Sequence, residues 1–438
     1  MALARIPVNW FGRMPPPARP DKLNSTDLMK FLFPYCLLAA MASAQTLTPV
    51  WVELGPDGSA VARTVIEPSA KCPDLRAGGQ SLLMKAREPV PEGLKPVCEV
   101  LIPNGVRSLR WGKKKLSRPK TPNRVVVMGD TGCRIKGGQI QDCDNPDLWP
   151  FEPLSAQVAK LKPDLIIHVG DYLYRESACP DVVEGCAGPH GDNWEAWNAD
   201  FFTPARAALA AAPWVFARGN HESCERSFRG WFYYLDPRPF TAACSQYTAP
   251  YIARSGDLRL AVLDTGATKD RPNAQPTQIP IYSQQLTAVS GRADWLVDHH
   301  PFWGYTANSS TLVPTELTLG PAWAAAQPKG ISLVLSGHVH LFEFLALESG
   351  RPNQVIAGDS GTQLDTGFTV DKSGSSVASA RVKNGEVNMS FGLTEFERQG
   401  TGWVLTLRNA QGAAQLTCTM PADQNVSCKV SRPRKGRK

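Results

Sequence analysis

Arg124–Gly132 reads RVVVMGDTG, an apolar run that ends in a glycine and a single carboxylate, Asp130. Consecutive apolar positions suit a strand covered on both faces, and a Gly-Asp pair closes such a strand in a turn. The pattern recurs downstream as LIIHVGD (165–171), WVFARGNHE (214–222), LRLAVLD (258–264), WLVDHHP (295–301), LVLSGHVH (333–340) and QVIAGDS (354–360). Helix-like segments, LSAQVAKL (154–161) and NWEAWNADFFTPARAALAAA (193–212), lie between some of these runs. The sequence therefore predicts an α/β fold whose buried strands are covered by helices. In such sheets ligands gather beyond the carboxyl ends of the strands, which is where Asp130 stands.

The flanks have a different texture. Residues 29–46, MKFLFPYCLLAAMASAQT, have a basic start, an apolar stretch from Phe31 to Met41 and a small-residue site at Ala42-Ser43-Ala44, the pattern of a secretory signal cut before Gln45. The apolar stretch is shorter than the roughly 20 residues that span a bilayer, so no transmembrane segment is expected after signal removal. Residues 1–44 are thus read as an N-terminal extension and signal peptide, with translation expected to start at Met29 and the product exported to a periplasmic or secreted location. Residues 45–121 alternate short apolar pieces with Pro and Gly turns and read as a small β-rich domain and linker. Residues 122–362, which hold the apolar runs, are expected to form the main domain. Residues 363–430 return to β-like alternation and are expected to complete that domain, and 431–438 form a basic tail.

Ten of the eleven cysteines lie beyond the signal segment, an even number that fits disulfides in an exported chain. Sequence neighbours pair naturally as 72–98, 133–143, 179–186, 224–244 and 418–428, although sequence alone does not determine connectivity. The formal charge of +7 is concentrated at the two ends, and residues 45–428 carry −2, so no specific nucleic-acid partner is expected.

The strand ends carry the chemistry. In order they present Asp130, Asp171, Asn220 with His221, His299 with His300, then His338 and His340. Carboxylate, amide oxygen and imidazole ligate hard to borderline cations, and so many donors from separate strands exceed the needs of one ion. The ordered set GD, GD, GNHE, HHP, GHVH resembles the calcineurin-like metallophosphoesterase superfamily over about residues 124–360. That resemblance implies a metallophosphoesterase-type β-sandwich flanked by helices, preceded by the small β-rich domain. It implies Asp130, Asp171 and His340 on a first metal, and a second metal bridged by Asp171 and completed by Asn220, His299 and His338. His221 would meet the substrate phosphate.

Many members have a further His ligand two residues after the first Asp, where this chain has Gly132. Tyr174, three residues after Asp171 in GDYLYRE, stands where purple acid phosphatases carry a metal-binding tyrosine, and GDTG and GHVH also match that branch. The resemblance therefore implies two metal ions, Fe(III) beside Fe, Zn or Mn. Purple acid phosphatases also carry a His about ten residues beyond the HxP ligand, and this chain has none there. Protonation of the leaving group falls to His300, His190 or water. His299 is preferred over His300 as ligand because it stands two residues before Pro301. His168 reads as a structural neighbour of the site, and Glu222 either as a partner that holds the His221 ring or as a solvated carboxylate. The loop 172–197, with Asn193 and Trp194, is expected to shape substrate selection.

The reaction implied is hydrolysis of phosphomonoesters by attack of a metal-bound hydroxide, with His221 and Asp171 catalytic and His221, Asn193 and His300 meeting the substrate. Two alternatives stay open: a phosphodiesterase or nucleotidase with the same site, and a protein that binds metal and phosphate-bearing ligands without turnover.

Overall fold

The computed structural model describes residues 46–431, apart from 181–182, 184–185, 187, 270–273, 309–310, 315–316, 349, 367–375, 378–379 and 423–424. The expected signal segment and nearly all of the basic tail lie outside the described residues. The described residues form one compact body.

Two sheets face each other. The larger has eleven strands, with Gly392–Gln399, Arg124–Met128, Leu165–His168, Trp214–Phe216 and Trp51–Leu54 adjacent in that order at its centre. The last four of these run parallel. The smaller has eight strands, and Leu258–Val262, Trp295–Val297, Leu333–Ser336 and Asn353–Ala357 run parallel through its middle. Val125, Val127, Leu165 and Ile167 of the first sheet share one buried cluster with Leu260, Val297, Leu335 and Val355 of the second. The alternate residues Val126, Met128, Ile166 and Phe216 turn the other way, onto Phe151, Leu154 and Val158 of the helix Phe151–Leu161. Leu296 and Val334 meet Tyr282 and Leu319 on the outer face of the second sheet. Strands with both faces covered admit a polar side chain only where it finds partners, as His168 and Gln354 do, and this is why the runs are largely apolar. Each fully buried Val, Ile or Leu contributes roughly 1.5–3 kcal/mol.

The N-terminal β-rich segment divides. Trp51–Leu54, Ala60–Val65, Lys85–Ala86 and Val97–Leu101 extend the large sheet beyond Trp214–Phe216, while Asp74–Ala77, Gln80–Leu83, Leu109–Trp111 and Lys114–Leu116 make a four-stranded sheet of their own. Arg63 ties this segment to the rest. Fully buried, it donates to Glu53 Oε2 at 3.0 Å, Glu99 Oε2 at 3.0 Å, and the carbonyls of Tyr234 and Asp236 at 3.0 and 2.8 Å. A buried guanidinium is tolerated when its donors are taken up in this way. At the other end of the chain, Gly392–Gln399 pairs antiparallel with Arg124–Met128, and Ala380–Asn388 joins the second sheet beside Phe342–Leu347. The helix expected over 193–212 is broken into Trp194–Trp197, a π-turn at Asn198–Phe202 and Arg206–Leu209. Among the described residues no helix is long and apolar enough to cross a membrane.

The five neighbour-wise disulfides form as expected, at 72–98, 133–143, 179–186, 224–244 and 418–428. One strand end is less comfortable. Asp359, following Asn353–Ala357, is fully buried and neither carboxylate oxygen has a hydrogen-bond partner among the described residues. Burial pushes its carboxyl up to about 7. A carboxyl raised in the folded state contributes stability that is fully present below its unfolded value near 4 and is lost as pH rises through about 7. Asp359→Asn is therefore expected to raise the unfolding midpoint at pH 8 and to flatten the fall in stability between pH 4 and 7, a difference on the order of 4 kcal/mol at most, read by denaturant unfolding across pH.

Candidate metal centre

All the parallel strands of both sheets end at one rim. Asp130 follows Arg124–Met128, Asp171 follows Leu165–His168, and Asn220 and His221 follow Trp214–Phe216. His299 and His300 follow Trp295–Val297, and His338 and His340 follow Leu333–Ser336. Asp130, Asp171 and His338 adopt left-handed backbone, with φ of 54°, 61° and 72°, a conformation that L-residues other than Gly, Asn and Asp seldom hold. The glycines beside them answer to close approach: a Cβ on Gly219 would run into the Asp171 carboxylate, and one on Gly337 into that of Asp130.

The loop after Asp171 is held by two buried carboxylates. Glu222 Oε1 accepts the backbone N–H of Tyr172 and Leu173 at 2.9 and 3.2 Å, and Oε2 accepts those of Asp171 and Gly219 at 3.2 and 3.1 Å. Asp200 Oδ2 accepts the N–H of Tyr174 and Arg175 at 2.8 and 3.1 Å, while its Oδ1 takes the N–H of Cys133 at 3.2 Å and Arg175 Nε at 2.6 Å. Five consecutive amides from Asp171 to Arg175 are thus spoken for. Glu222, fully buried, holds this backbone; it is neither the partner of the His221 ring nor a solvated carboxylate, which corrects both readings from sequence. Thr265 Oγ1 does similar work across the rim, accepting the N–H of His299 and of His300 at 3.1 and 2.9 Å.

With the loop so placed, the Tyr174 hydroxyl lies 2.9 Å from Asp130 Oδ1, 2.8 Å from Asp171 Oδ2 and 3.0 Å from His340 Nε2. Asp171 Oδ2 is also 3.2 Å from His299 Nε2. Asn220 Oδ1 joins His299 Nε2 at 2.9 Å and His338 Nδ1 at 3.1 Å. The seven side chains therefore fall into an oxygen-rich group, Asp130, Asp171, Tyr174 and His340, and a nitrogen-rich group, Asp171, Asn220, His299 and His338, with Asp171 common to both. Two residues after Asp130, a Cβ on Gly132 would come within 2.6 Å of the Tyr172 carbonyl oxygen, so no ligand side chain fits there and the tyrosine hydroxyl stands in the oxygen-rich group instead.

Burial pushes Asp130 well up, with the Asp171 charge adding to it. Burial acts the same way on Asp171, but His299 and His221 outweigh it and hold that carboxyl well down. Burial drives His340 down to about 3, which keeps it a neutral imidazole. A neutral imidazole, two carboxylates and a phenol facing inward are a donor set for a hard cation, and the nitrogen-rich group suits a borderline divalent ion, so the residues fit two metals. His299 Nδ1 meets the Val169 carbonyl and His340 Nδ1 that of Gln363, both at 2.9 Å, which presents each Nε2 inward.

Other expected site residues are placed differently. His300 is 1 % exposed, its ring 4.0 Å from that of His338, and its ring nitrogen falls within 4.8 Å of those of His299 and His338. It is buried beside His299 and His338 and is not part of the cavity wall. Asn193 is a helix cap, accepting Ala196 N–H at 3.0 Å and donating to the His190 carbonyl at 2.7 Å. His190 is exposed. His168 is enclosed, with Nε2 3.0 Å from Thr131 Oγ1 and Nδ1 accepting Gly170 N–H at 3.2 Å.

The cavity over the centre, about 340 Å³, is walled by Asp171, Asn220, His221, His338 and His340, and at its mouth stand Arg134, Lys136 and Arg226. The described part of the 172–197 loop does not line it. That loop instead supplies Glu176, whose Oε1 lies 2.6 Å from His221 Nδ1. The sequence reading missed Glu176, Asp200 and the three cations. GDYLYRE does put Glu176 two residues after Tyr174, but nothing local pairs it with His221. A larger groove of about 600 Å³ opens at the amino ends of the same strands, beside Lys120, Lys162 and Asp164, and holds none of the donors.

A family model described as calcineurin-like phosphoesterase matches residues 123–342. No curated protein sequence matches the chain. Among solved structures, a purple acid phosphatase from yellow lupin (Lupinus luteus) seeds is similar at 14 % identity and a TM-score of 0.54, over 83 % of this chain and 72 % of that one. PhoD is similar at 14 % identity and a TM-score of 0.56, over 90 % and 94 %. Likeness at this identity speaks for the fold.

Two substitutions probe the construction of the centre. Glu222→Gln offers one acceptor oxygen and an NH₂ that faces backbone donors, so it is expected to lower metal affinity about 10–100-fold. Tyr174→Phe is expected to weaken the oxygen-rich group selectively, so that metal analysis of purified protein falls from two ions toward one.

Proposed function

We propose, given that this chain belongs to the calcineurin-like phosphoesterase family and is a metal-dependent phosphoesterase, that it is an exported hydrolase of phosphomonoesters with a dinuclear centre. The observation that carries the reading is the Tyr174 hydroxyl within 3.0 Å of Asp130, Asp171 and His340. Asp130, Asp171, Tyr174 and His340 would hold one ion, Fe(III) by the hardness of phenolate and carboxylate, and Asp171, Asn220, His299 and His338 a divalent Fe, Zn or Mn. When bound, the pair supplies Lewis-acid charge for phosphoryl oxygens and lowers the pKa of water toward about 7.

The remaining work falls to side chains. Burial would raise the Glu176 carboxyl, but its hydrogen bond to His221, with the charges of His221, Arg226 and Lys136, brings it down to about 2. An ionised Glu176 lies 2.6 Å from His221 Nδ1, an ion pair when the ring is protonated, and Nε2 is left on the cavity wall, 3.8 Å from Asp171 Oδ2. Burial holds the His221 imidazole below its ordinary value, with Asp171 and Glu176 opposing it, so the donating imidazolium is the form of acid pH. In that form Nε2–H donates to a phosphoryl oxygen, and the carboxylate behind the ring stabilises the charge. The cations at the mouth favour a doubly charged monoester over a singly charged diester. Five disulfides, two of them closing loops at the mouth, support an oxidising destination.

A diesterase is the second reading, because no further imidazole among the described residues lines the cavity to protonate a poor leaving group. Both are tested with the chain from Gln45, exported so that disulfides form. Turnover of p-nitrophenyl phosphate is expected, abolished by chelator and restored by Fe with Zn, with bis-p-nitrophenyl phosphate at least about tenfold slower. Preference for the diester would instead establish the second reading. A folded protein holding two metals that turns over neither ester would be a binding protein. His221→Ala is expected to lower kcat about 10²–10³-fold with metal content retained.

A further inference from the structure

The charges at the cavity mouth do not balance. Lys136 and Arg226 each lie 3.4 Å from a Glu176 oxygen, and this one carboxylate also carries the bond to His221. Arg134 makes no ion pair among the described residues. Its Nη1 donates to Gln139 Oε1 at 2.9 Å, its Nη2 lies 3.5 Å from both ring nitrogens of His340, and its guanidinium sits over the Tyr174 ring at 5.3 Å. Asp365, the other carboxylate at the mouth, is bonded to the His340 N–H at 3.1 Å and does not reach Arg134. Leaving aside the donor cluster, three cations face two carboxylates here, and the excess charge is a half-buried arginine.

That arginine is held in advance. The 133–143 disulfide closes its loop, Arg134 N–H donates to Gln141 Oε1 at 3.0 Å, and Ile135–Lys136 pairs with Gln139–Ile140 as a short hairpin. Arg226 likewise comes from a loop closed by the 224–244 disulfide. Cations ordered before a ligand arrives lose little freedom when they bind it. A guanidinium fork matches the paired oxygens of phosphate or carboxylate.

We infer that Arg134, supported by Lys136 and Arg226, reads a second anionic group on the substrate, a phosphate or carboxylate carried near the ester that is cleaved. The inference rests on the phosphoesterase reading above. The site then prefers bisphosphates or phosphorylated acids to simple monoesters. Arg134 lines the same cavity as the donors and meets it at the Tyr174 and His340 rings. His221 also packs on Tyr174, with ring centroids 3.8 Å apart, but has no contact with Arg134 among the bonds and ion pairs of the described residues. His221 and its Glu176 partner are thus assigned to the transferred phosphate, and Arg134 to its companion.

The test compares matched pairs on the metal-loaded full chain: glycerol 3-phosphate against 3-phosphoglycerate for the carboxylate, and fructose 6-phosphate against fructose 1,6-bisphosphate for the phosphate. The member with the second anionic group in at least one pair is expected to have a kcat/KM about tenfold higher or more, and the pair that shows it identifies that group. Arg134→Ala should collapse that ratio toward one, mainly through KM, and Arg134→Lys should keep part of it. Ratios near one in the wild type would overturn the inference, as would an Arg134→Ala variant that lowers both members of a pair equally, since Arg134 would then serve the transferred phosphate. Calorimetric binding of propylphosphonate against 3-phosphonopropionate and 1,3-propanediphosphonate supplies a readout without turnover. A chain that hydrolyses nothing but binds a phosphonate with a second anionic group more tightly, through Arg134, would remove the phosphoesterase reading and keep the recognition of that second group.

Discussion

Five consecutive backbone amides, from Asp171 to Arg175, are held by two carboxylates that never meet solvent, Glu222 and Asp200. A loop of this length would otherwise sample many conformations, and each ordered residue costs about 1–2 kcal/mol of backbone entropy. Buried carboxylates with every oxygen engaged by N–H donors oppose that cost. They also tie the loop to two other segments, because Glu222 reaches Gly219 and Asp200 reaches Cys133. The bridging Asp171, the Tyr174 hydroxyl and the approach of the Arg134 loop all follow from this pinning.

The rim itself is a product of sheet direction. Parallel strands put all their carboxyl ends on one side, so donors separated by more than two hundred residues in sequence, such as Asp130 and His340, come within a few ångströms. The interior of the sandwich cannot accept these groups, and the rim can, provided that opposing charges meet there. Side chains crowd so closely that neighbouring glycines have no room for a methyl group, which is the physical content of the GD, GN and GH pairs. The N-terminal strands add nothing to the donor set. They widen the large sheet and, through Arg63, brace the segment around Tyr234 and Asp236 that follows the His221 turn.

Outside the donors, the mouth is built from irregular chain. Two disulfide-closed loops bring Arg134, Lys136 and Arg226 over the cavity, and a third region brings Glu176 to His221. Such loops have little core of their own, and cross-links take the place of packing. Asn193 and His300 show the reverse case. A polar residue in a loop after the bridging Asp and a second histidine beside a ligand are reasonable candidates for meeting substrate, yet one caps a helix and the other is enclosed beside His338.

By itself the sequence determined the α/β architecture and the order of donors along the chain. Both are written in local patterns: continuous apolar runs that need two covered faces, and polar clusters at the point where each run stops. It also held the neighbour-wise cysteine pairs, because short loops bring such partners together. Tertiary structure alone decided which polar residue pairs with which. Glu222 faces backbone and not His221, Glu176 replaces it there, and Asp200 reaches across from a broken helix to Cys133 and Tyr174. These contacts depend on how strands from distant parts of the chain register at one rim, and hydrogen bonds across such distances leave no periodicity behind them in the sequence.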